Sequence, residues 1–216
     1  MTPLPAADLR SNVGTWSVPA CCLPAVAYEM GQVLKTEQFD PEFQGQYLQT
    51  TYLDTRDFAL RKGRLKADHY LTLRLRCYSP SCEAGGDYPK GVYAFSAKTE
   101  GAKFRLEVPS YQAEDILQNG GASQIVRGLL PGDLLARLAE LAGDEPLCPV
   151  VSVCMTRYAC EDPVHRLTLD VEVKTDTGKC YPTNVLEQKS VGKDAMPLLA
   201  TPLRPIKLSK FLWATQ

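Results

Sequence analysis

The sequence predicts an α+β protein made mainly of antiparallel strands. Residues 70–78 read Tyr-Leu-Thr-Leu-Arg-Leu-Arg-Cys-Tyr, so apolar side chains occupy every second position and Arg74 and Arg76 lie between them. Successive side chains of a strand point to opposite faces, and this pattern therefore indicates a strand with one apolar and one basic face. The same alternation recurs in several later segments. After Pro109 the spacing of apolar residues changes from two to about 3.6, which predicts helices.

The predicted elements follow one another along a single domain. Residues 1–24 contain four prolines and Gly14, so they are expected to form a loosely ordered lead-in or a segment that covers a sheet edge, and the domain is expected to span residues 25–216. A helical insert is expected around residues 116–141, whose last helix would have Pro131 at its first position and Gly143 after its end. A turn at residues 176–178 separates the last two strands. Strands are predicted near residues 25–35, 47–52, 70–78, 92–98, 103–108, 150–158, 166–174 and 184–190.

Length, charge and cysteine spacing narrow the class of protein. A chain of 216 residues can enclose one sizeable core. The formal net charge of −1 gives no support to nucleic-acid binding driven by overall charge, so any basic site must be local. The eight cysteines lack zinc-finger spacing and no signal-peptide pattern precedes them, so reduced thiols in the cytoplasm are expected. The sequence contains no Walker A, GxGxxG or HExxH motif, and no membrane span is predicted.

Charged side chains occupy one face of most of the predicted strands. If the strands form a flat sheet packed on helices, this charged face is exposed to solvent. If the strands close on themselves, the charged face lines a barrel or tunnel. Lys207 and Lys210, three residues apart, either share a face of one helical turn or belong to a solvated C-terminal tail. In the closed case the lumen would hold the cations Arg74, Arg76, Lys98, Lys103, Arg105, Arg157, Arg166, Lys174 and Lys189, and the carboxylates Glu107, Asp170, Glu172 and Glu187.

Short motifs occur in an order that is typical of a known superfamily. They are residues 52–61 (YLDTRDFALR), the Arg74 and Arg76 strand, 97–99 (AKT), 105–107 (RLE), 156–158 (TRY), 165–170 (HRLTLD), 185–189 (VLEQK) and 205–211 (PIKLSKF). Over roughly residues 46–212 the chain resembles the triphosphate tunnel metalloenzymes, which include the CYTH proteins. Its second half is most similar to the polyphosphate polymerase domain of the vacuolar transporter chaperone (VTC) family. The resemblance implies a closed eight-stranded β-barrel, or tunnel, with the helical insert on its outside.

The resemblance also implies a site that uses Mg²⁺ or Mn²⁺. Glu187 matches the last-strand glutamate of the family and is the first candidate metal ligand; Glu107, Asp170, Glu172 and Glu29 are further candidates, and each could instead pair with a neighbouring cation. Tunnel enzymes open with an ExExK strand, whereas residues 27–35 offer only Glu29 in that pattern. The cations implied to hold phosphates are Arg74, Arg76, Lys98, Arg105, Arg157, Arg166, Lys189, Lys207 and Lys210. The residues implied to act in catalysis are Arg74, Arg76, Lys98, Arg157, Arg166 and Glu187.

Three functions remain open from the sequence. The first, which the incomplete ExExK pattern and the Lys207 and Lys210 tail favour, is metal-dependent phosphoryl transfer by a polyphosphate polymerase that extends a phosphate chain from ATP. The second is a triphosphatase, in which water is the acceptor. The third is a polyphosphate-binding module without catalytic activity. The implied partners are ATP, triphosphate or polyphosphate, with no nucleic acid. The VTC domain is associated with membrane spans, and because none is predicted in this sequence, a separate membrane partner is possible.

Overall fold

The computed structural model describes residues 11–33, 45–65, 70–79, 92–100, 102–118, 122–191, 198–207 and 209–216. These residues form two compact units: the first contains residues 49–153 with 211–216, and the second contains the described parts of 11–48 with 154–210. The prediction of one domain over residues 25–216 stays a prediction, and residues 1–10 of the predicted lead-in lie outside the described part.

Nine strands and six α-helices account for most of the described residues. The strands are β1 (Ser11–Val18), β2 (Gln46–Thr55), β3 (Thr72–Ser79), β4 (Val92–Lys98), β5 (Lys103–Val108), β6 (Leu147–Glu161), β7 (His165–Thr175), β8 (Asn184–Ser190) and β9 (Arg204–Pro205). The helices are α1 (Leu23–Val33), α2 (Ala59–Leu65), α3 (Ser110–Gln118), α4 (Ala122–Leu129), α5 (Gly132–Ala142) and α6 (Lys210–Ala214).

The first unit is a sheet whose apolar face is covered by helices. Its strands are hydrogen-bonded in the order β5-β4-β3-β2-β6, and the β3–β4 and β4–β5 pairs are antiparallel. Leu73 and Leu75 of β3 are buried in one cluster with Phe95 of β4, Ile116 of α3 and Leu138 of α5. The alternation in residues 70–78 therefore predicted the two faces of this strand correctly, because only the apolar positions lie against the helical insert.

The helical insert follows the predicted start and stop signals with a shift of one residue. Pro131 has an extended backbone, with ψ at 155°, and is the N-cap of α5; the helix proper begins at Gly132, so the placement of Pro131 at the first helical position was wrong by one residue. Gly143 ends the helix with φ at 56°, a left-handed value that costs little without a Cβ.

The second unit is also a sheet with one helix on its apolar face. Its strands are hydrogen-bonded in the order β6-β7-β8-β1-β9, and the pairings of β8 with β7 and with β1 are antiparallel. Val26 and Met30 of α1 are fully buried against Leu167 and Leu169 of β7 and Leu186 of β8. The three leucines occupy one face of the sheet, so polar residues paired between them face the other way.

The start of the chain differs from the prediction. Residues 23–33 form helix α1, not a strand near 25–35, and the predicted lead-in over residues 1–24 contains strand β1. Val26 and Met30 are four positions apart, the spacing that brings two side chains to one side of a helix. Strand β1 alternates polar and apolar residues only from Thr15 to Val18, and its register shifts between Asn12 and Gly14, so its pairing with β8 defines the rest of the strand.

The fold class is as predicted: α+β, with a mainly antiparallel sheet. The described strands number nine, not eight, because β1 and the two-residue β9 are added and the predicted strand at 25–35 is lost. Among them β5 and β9 each have a single neighbour, so hydrogen bonds do not close the sheet. None of the described helices has both the length and the apolar character needed to cross a membrane.

Candidate functional site

The first unit carries a basic face on strands β3, β4 and β5. Antiparallel pairing places Arg74 opposite Ser96 and Ser96 opposite Arg105, and directly paired residues share a face. We define the first basic face as the cations that this register brings to the side opposite the helices: Arg74, Arg76, Lys98, Lys103 and Arg105. Four of the predicted phosphate-binding residues are therefore neighbours on one surface of one unit.

Neighbouring polar groups orient the arginines of the first basic face. The Nε of Arg74 donates a hydrogen bond of 2.8 Å to the buried Oγ of Ser96. The Arg105 guanidinium lies 5.1 Å from the ring centre of Tyr78, within the range of a cation–π contact. Arg76 makes only a long contact of 3.5 Å to the Tyr78 hydroxyl, and its buried Nε has no hydrogen-bond partner within the described structure. The buried Nε of Arg76 is thus a donor without an acceptor among the described residues.

Glu107 is the one carboxylate on this face of strands β3 to β5. It is exposed and lies in a row with Ala94 and Arg76. Five cations and one carboxylate on three short strands make the face strongly basic, in a chain whose formal net charge is −1.

The second unit carries a polar face on strands β7, β8, β1 and β9. Three rows of paired residues cross it: Arg166–Lys189, Thr168–Glu187–Thr15, and Asp170–Val185–Ser17–Arg204. Arg157 of β6 and Lys210 of α6 reach the same face through their contacts with Asp170. We define the second basic face as the cations Arg157, Arg166, Lys189, Arg204 and Lys210.

Asp170 is the internal counter-ion of the second basic face. Its carboxylate is 1% exposed, and it accepts hydrogen bonds of 2.6 and 2.8 Å from Nε and Nη2 of Arg157. Lys210 Nζ lies 2.9 Å from its second oxygen. Burial alone would raise the pKa of Asp170, but the charges and hydrogen bonds of Arg157 and Lys210 outweigh this effect and hold the pKa well below its usual range. Both oxygens of Asp170 are therefore occupied by cations of the protein.

Glu187 has a different environment from Asp170. Its Oε1 lies 3.8 Å from Lys189 Nζ, too far for a hydrogen bond, and its side chain is 32% exposed. Thr15 and Thr168 are paired with it on either side, and the Thr168 hydroxyl is buried with no hydrogen-bond partner among the residues that the structure describes. The row thus has one accessible carboxylate between two hydroxyls.

Three predicted residues lie away from the face on which they were expected. Glu29 belongs to helix α1, where its carboxylate accepts hydrogen bonds from the backbone N–H of Ala200 and of Thr201 and, at 2.6 Å, from the Thr201 hydroxyl. The Thr201 hydroxyl is the main reason that the pKa of Glu29 is lowered. Glu29 therefore holds the segment at residues 200–201 against α1, and the strand predicted for it was wrong because residues 23–33 are helical.

Glu172 and Lys207 also differ from the prediction. Glu172 has φ at 53°, which interrupts the alternation of β7, and it lines a cavity of about 400 Å³ with Leu169, Val171 and residues of α1. It is thus on the helix side of the sheet and not beside Asp170. Lys207 is exposed and precedes α6, which begins at Lys210, so the two lysines do not share a helical turn.

The implied metal does not fit the carboxylates in the described part of the chain. Those residues contain no group of three or more His, Cys, Asp or Glu side chains that could hold an ion. Asp170 is occupied by two cations and Glu29 by Thr201, and Glu107 is the single carboxylate on its own face of strands β3 to β5. Strand β1, the first strand in the described part of the chain, contains neither a carboxylate nor a lysine. In the middle row of the second basic face, Glu187 is the one accessible carboxylate.

Sequence reasoning missed several residues of the second basic face. Arg204 reaches it because β9 pairs with β1 and places Arg204 opposite Ser17. Thr15 and Ser17 belong to a segment that was expected to be irregular. The proline on each side of residues 203–204 hides β9 from any pattern of alternation, so no sequence signal indicated Arg204.

No protein-family model matches the sequence, and no curated protein matches it either. Among solved structures, the chain is similar to a protein of Bacillus halodurans named as a candidate adenylate cyclase, with a TM-score of 0.52 and 14% identity over 82% of this chain and 79% of the other. A weaker likeness is to a candidate adenylyl cyclase of Hippeastrum with a dominant triphosphatase activity, with a TM-score of 0.47 and 15% identity over 83% of this chain and 79% of the other. Another is to a candidate adenylate cyclase of Vibrio parahaemolyticus, with a TM-score of 0.46 and 10% identity over 86% of this chain and 77% of the other. At 14% identity the likeness to the Bacillus halodurans protein supports the fold alone, and the resemblance to the tunnel superfamily and to its VTC branch stays a prediction.

Proposed function

We propose that this protein binds triphosphate and longer phosphate chains on its basic sheet faces. The observation that carries the proposal is the register of β3, β4 and β5, which collects five cations and one carboxylate on one surface of a nearly neutral chain. The second basic face has an excess of cations in the other unit, with Asp170, Glu187 and Glu161 against five cations.

The electrostatics of these faces favour a polyanion. Two like charges 4 Å apart repel by about 4 kcal/mol at an effective dielectric constant near 20, so a set of neighbouring cations is stabilised when a guest neutralises it. A chain of phosphates spreads negative charge along its length and matches a row of cations. The arginines present planar forks of N–H donors that bind two phosphate oxygens at once, whereas the lysines act as point charges. Arg76 and Arg105 are the donors we expect to contact phosphate on the first face.

Phosphoryl transfer is a more specific proposal than phosphate binding, and we rank it second. The cations would hold adjacent phosphates in position and offset the charge of the transferring group. With a phosphate chain as the acceptor and ATP as the donor, the protein would be a polyphosphate polymerase; with water as the acceptor, a triphosphatase. The names of the structural neighbours agree with a nucleotide or triphosphate ligand. Glu187 is the accessible carboxylate that such chemistry would use, and its isolation from other carboxylates is why we place transfer second.

Thermal unfolding with and without tripolyphosphate tests the binding proposal. At low salt and a ligand concentration of a hundred times the dissociation constant, the gain in stability is about 2.7 kcal/mol. For a chain of this size that gain raises the melting temperature by roughly 5 to 11 °C. Arg76→Ala should reduce the shift, whereas the matched control Arg137→Ala, which removes an arginine paired with Glu140 on α5, should not. A melting temperature that millimolar tripolyphosphate leaves unchanged would refute the proposal.

A product assay separates the finer alternatives. The protein is incubated with ATP, or with tripolyphosphate, in the presence of Mn²⁺ or Mg²⁺, and phosphate chains are resolved by length on a gel. Growing chains from ATP would support the polymerase, and free phosphate from tripolyphosphate without growth would support the triphosphatase. Glu187→Gln should abolish either activity while most of the affinity remains. Tight binding with neither product would leave the binding module as the function.

A further inference from the structure

The middle row of the second basic face carries hydroxyls on both sides of its only carboxylate. Register pairs Glu187 with Thr15 of β1 and with Thr168 of β7. In the next row Ser17 lies opposite Val185, and its hydroxyl donates a hydrogen bond of 2.9 Å to Thr183 Oγ1. Thr168 is 5% exposed, and its hydroxyl has no hydrogen-bond partner in the described structure. A buried hydroxyl without a partner is costly unless a ligand satisfies it.

We infer that the second basic face binds a phosphate chain directly, through its cations and the hydroxyls of Thr15 and Thr168, and that this binding needs no divalent metal ion. The inference rests on the proposed function and specifies how one face performs it. A hydroxyl can donate a hydrogen bond to a phosphate oxygen, and Lys189 and Arg166, in the next row of the face, would contact the same phosphate chain. The hydroxyl contributes no negative charge that would attract Mg²⁺.

The charge of the face argues in the same direction. Arg157, Arg166, Lys189, Arg204 and Lys210 give five positive charges, and even with Glu161, which lies 3.6 Å from Arg166, only three carboxylates oppose them. A divalent cation would therefore enter a region with an excess of positive charge. Mg²⁺ in proteins is held by one or two carboxylates together with phosphate oxygens. Asp170 could join Glu187 in such a role only by giving up Arg157 and Lys210, which would leave two cations without their buried counter-ion.

The sign of the effect of Mg²⁺ on affinity distinguishes the two modes of binding. Mg²⁺ forms a complex with tripolyphosphate and removes two of its negative charges. At a face that binds phosphates through cations alone, this loss weakens binding; one interaction lost at aqueous dielectric corresponds to about a five-fold increase in Kd. At a site that needs a bridging metal, Mg²⁺ instead strengthens binding.

Isothermal titration calorimetry of the full chain with tripolyphosphate, in EDTA and in excess Mg²⁺, provides the test. We expect tripolyphosphate to bind in EDTA either as tightly as in Mg²⁺ or about five-fold more tightly. Binding that is more than about ten-fold tighter in Mg²⁺ than in EDTA would overturn the inference and leave the proposed function standing. Binding in neither buffer would overturn the proposed function itself.

Two variants locate the effect on the middle row. Thr168→Val keeps the shape and removes the hydroxyl, so affinity in EDTA should fall about three- to ten-fold, the value of one hydrogen bond. Thr15→Glu places a second carboxylate directly opposite Glu187, and Mg²⁺ should then strengthen binding, whereas the control Thr15→Gln should respond to Mg²⁺ as the parent does. Unchanged affinity in Thr168→Val would remove the hydroxyl from the contact and refute that part of the inference. Because the comparison of EDTA with Mg²⁺ uses the parent protein, it decides the question even if Thr15→Glu does not fold.

Discussion

Replacing Asp170 by asparagine tests the role of the buried counter-ion. The substitution keeps the size of the side chain and removes its charge, so Arg157 and Lys210 lose the group that both of them contact. The Asp170 carboxylate is 1% exposed, and the Arg157 side chain is only 13% exposed. Water therefore cannot replace the lost interaction fully. We expect the free energy of unfolding to fall, because a partly buried pair of cations remains without compensation.

The magnitude follows from measurements on buried ion pairs. Removing one partner of such a pair costs about 3 to 5 kcal/mol, which corresponds to a fall of roughly 6 to 20 °C in the melting temperature for a chain of this length. The matched control is Glu140→Gln, which breaks the exposed pair between Arg137 and Glu140 and should cost less than about 1 kcal/mol. Urea unfolding monitored by circular dichroism measures both values under the same conditions.

The dependence on pH provides a second check on Asp170. Its pKa is held below the unfolded value of about 3.9, so the stability it contributes is present above that value and is lost as the pH falls towards the folded pKa. The gap between the parent and Asp170→Asn should therefore be constant from pH 8 to about pH 5 and should shrink below about pH 4. A gap of less than 1 kcal/mol at pH 7, or a gap that is the same at pH 7 and pH 3, would refute the assignment of an ionised Asp170.

Two further predictions concern the faces of the strands. Leu73→Ala should lower the free energy of unfolding by about 2 to 5 kcal/mol, because Leu73 is fully buried under the helices. Arg76→Ala should change it by less than about 1 kcal/mol. If denaturant titration shows the reverse order, the two faces of β3 are assigned the wrong way round. Glu172→Gly should raise the melting temperature by a few degrees, because a left-handed residue with a side chain costs roughly 1 kcal/mol, and Glu172→Ala should not; equal effects of the two would contradict a backbone origin.

The sequence determined the strands whose two faces differ in polarity. The alternation around Arg74 and in residues 103–108 predicted β3 and β5 and the side of each strand that would carry charge. It succeeded because a strand with helices on one side must be apolar there and polar on the other. The same argument predicted β7 and β8 within a residue or two at each end. The helical spacing after Pro109 likewise predicted the insert.

The alternation of polar and apolar residues did not predict strand β1 or helix α1. Strand β1 alternates polar and apolar residues only over its last four positions, Thr15 to Val18, because the register shifts between Asn12 and Gly14, and so short a pattern does not identify a strand. Its structure depends on hydrogen bonds from β8, a strand that begins 166 positions after Val18. Glu29 was consequently taken for the remnant of a strand carboxylate, although it lies on a helix and holds a distant segment.

The sequence indicated which side chains are charged, and only the tertiary structure decided which of them neutralise one another. Asp170 was a candidate metal ligand by its position in a motif. Its partners Arg157 and Lys210 lie 13 positions before it and 40 positions after it, so no local pattern could pair them. Burial then fixes the outcome: a carboxylate removed from water persists as an ion only where cations surround it, and those cations come from another strand and from the helix near the end of the chain.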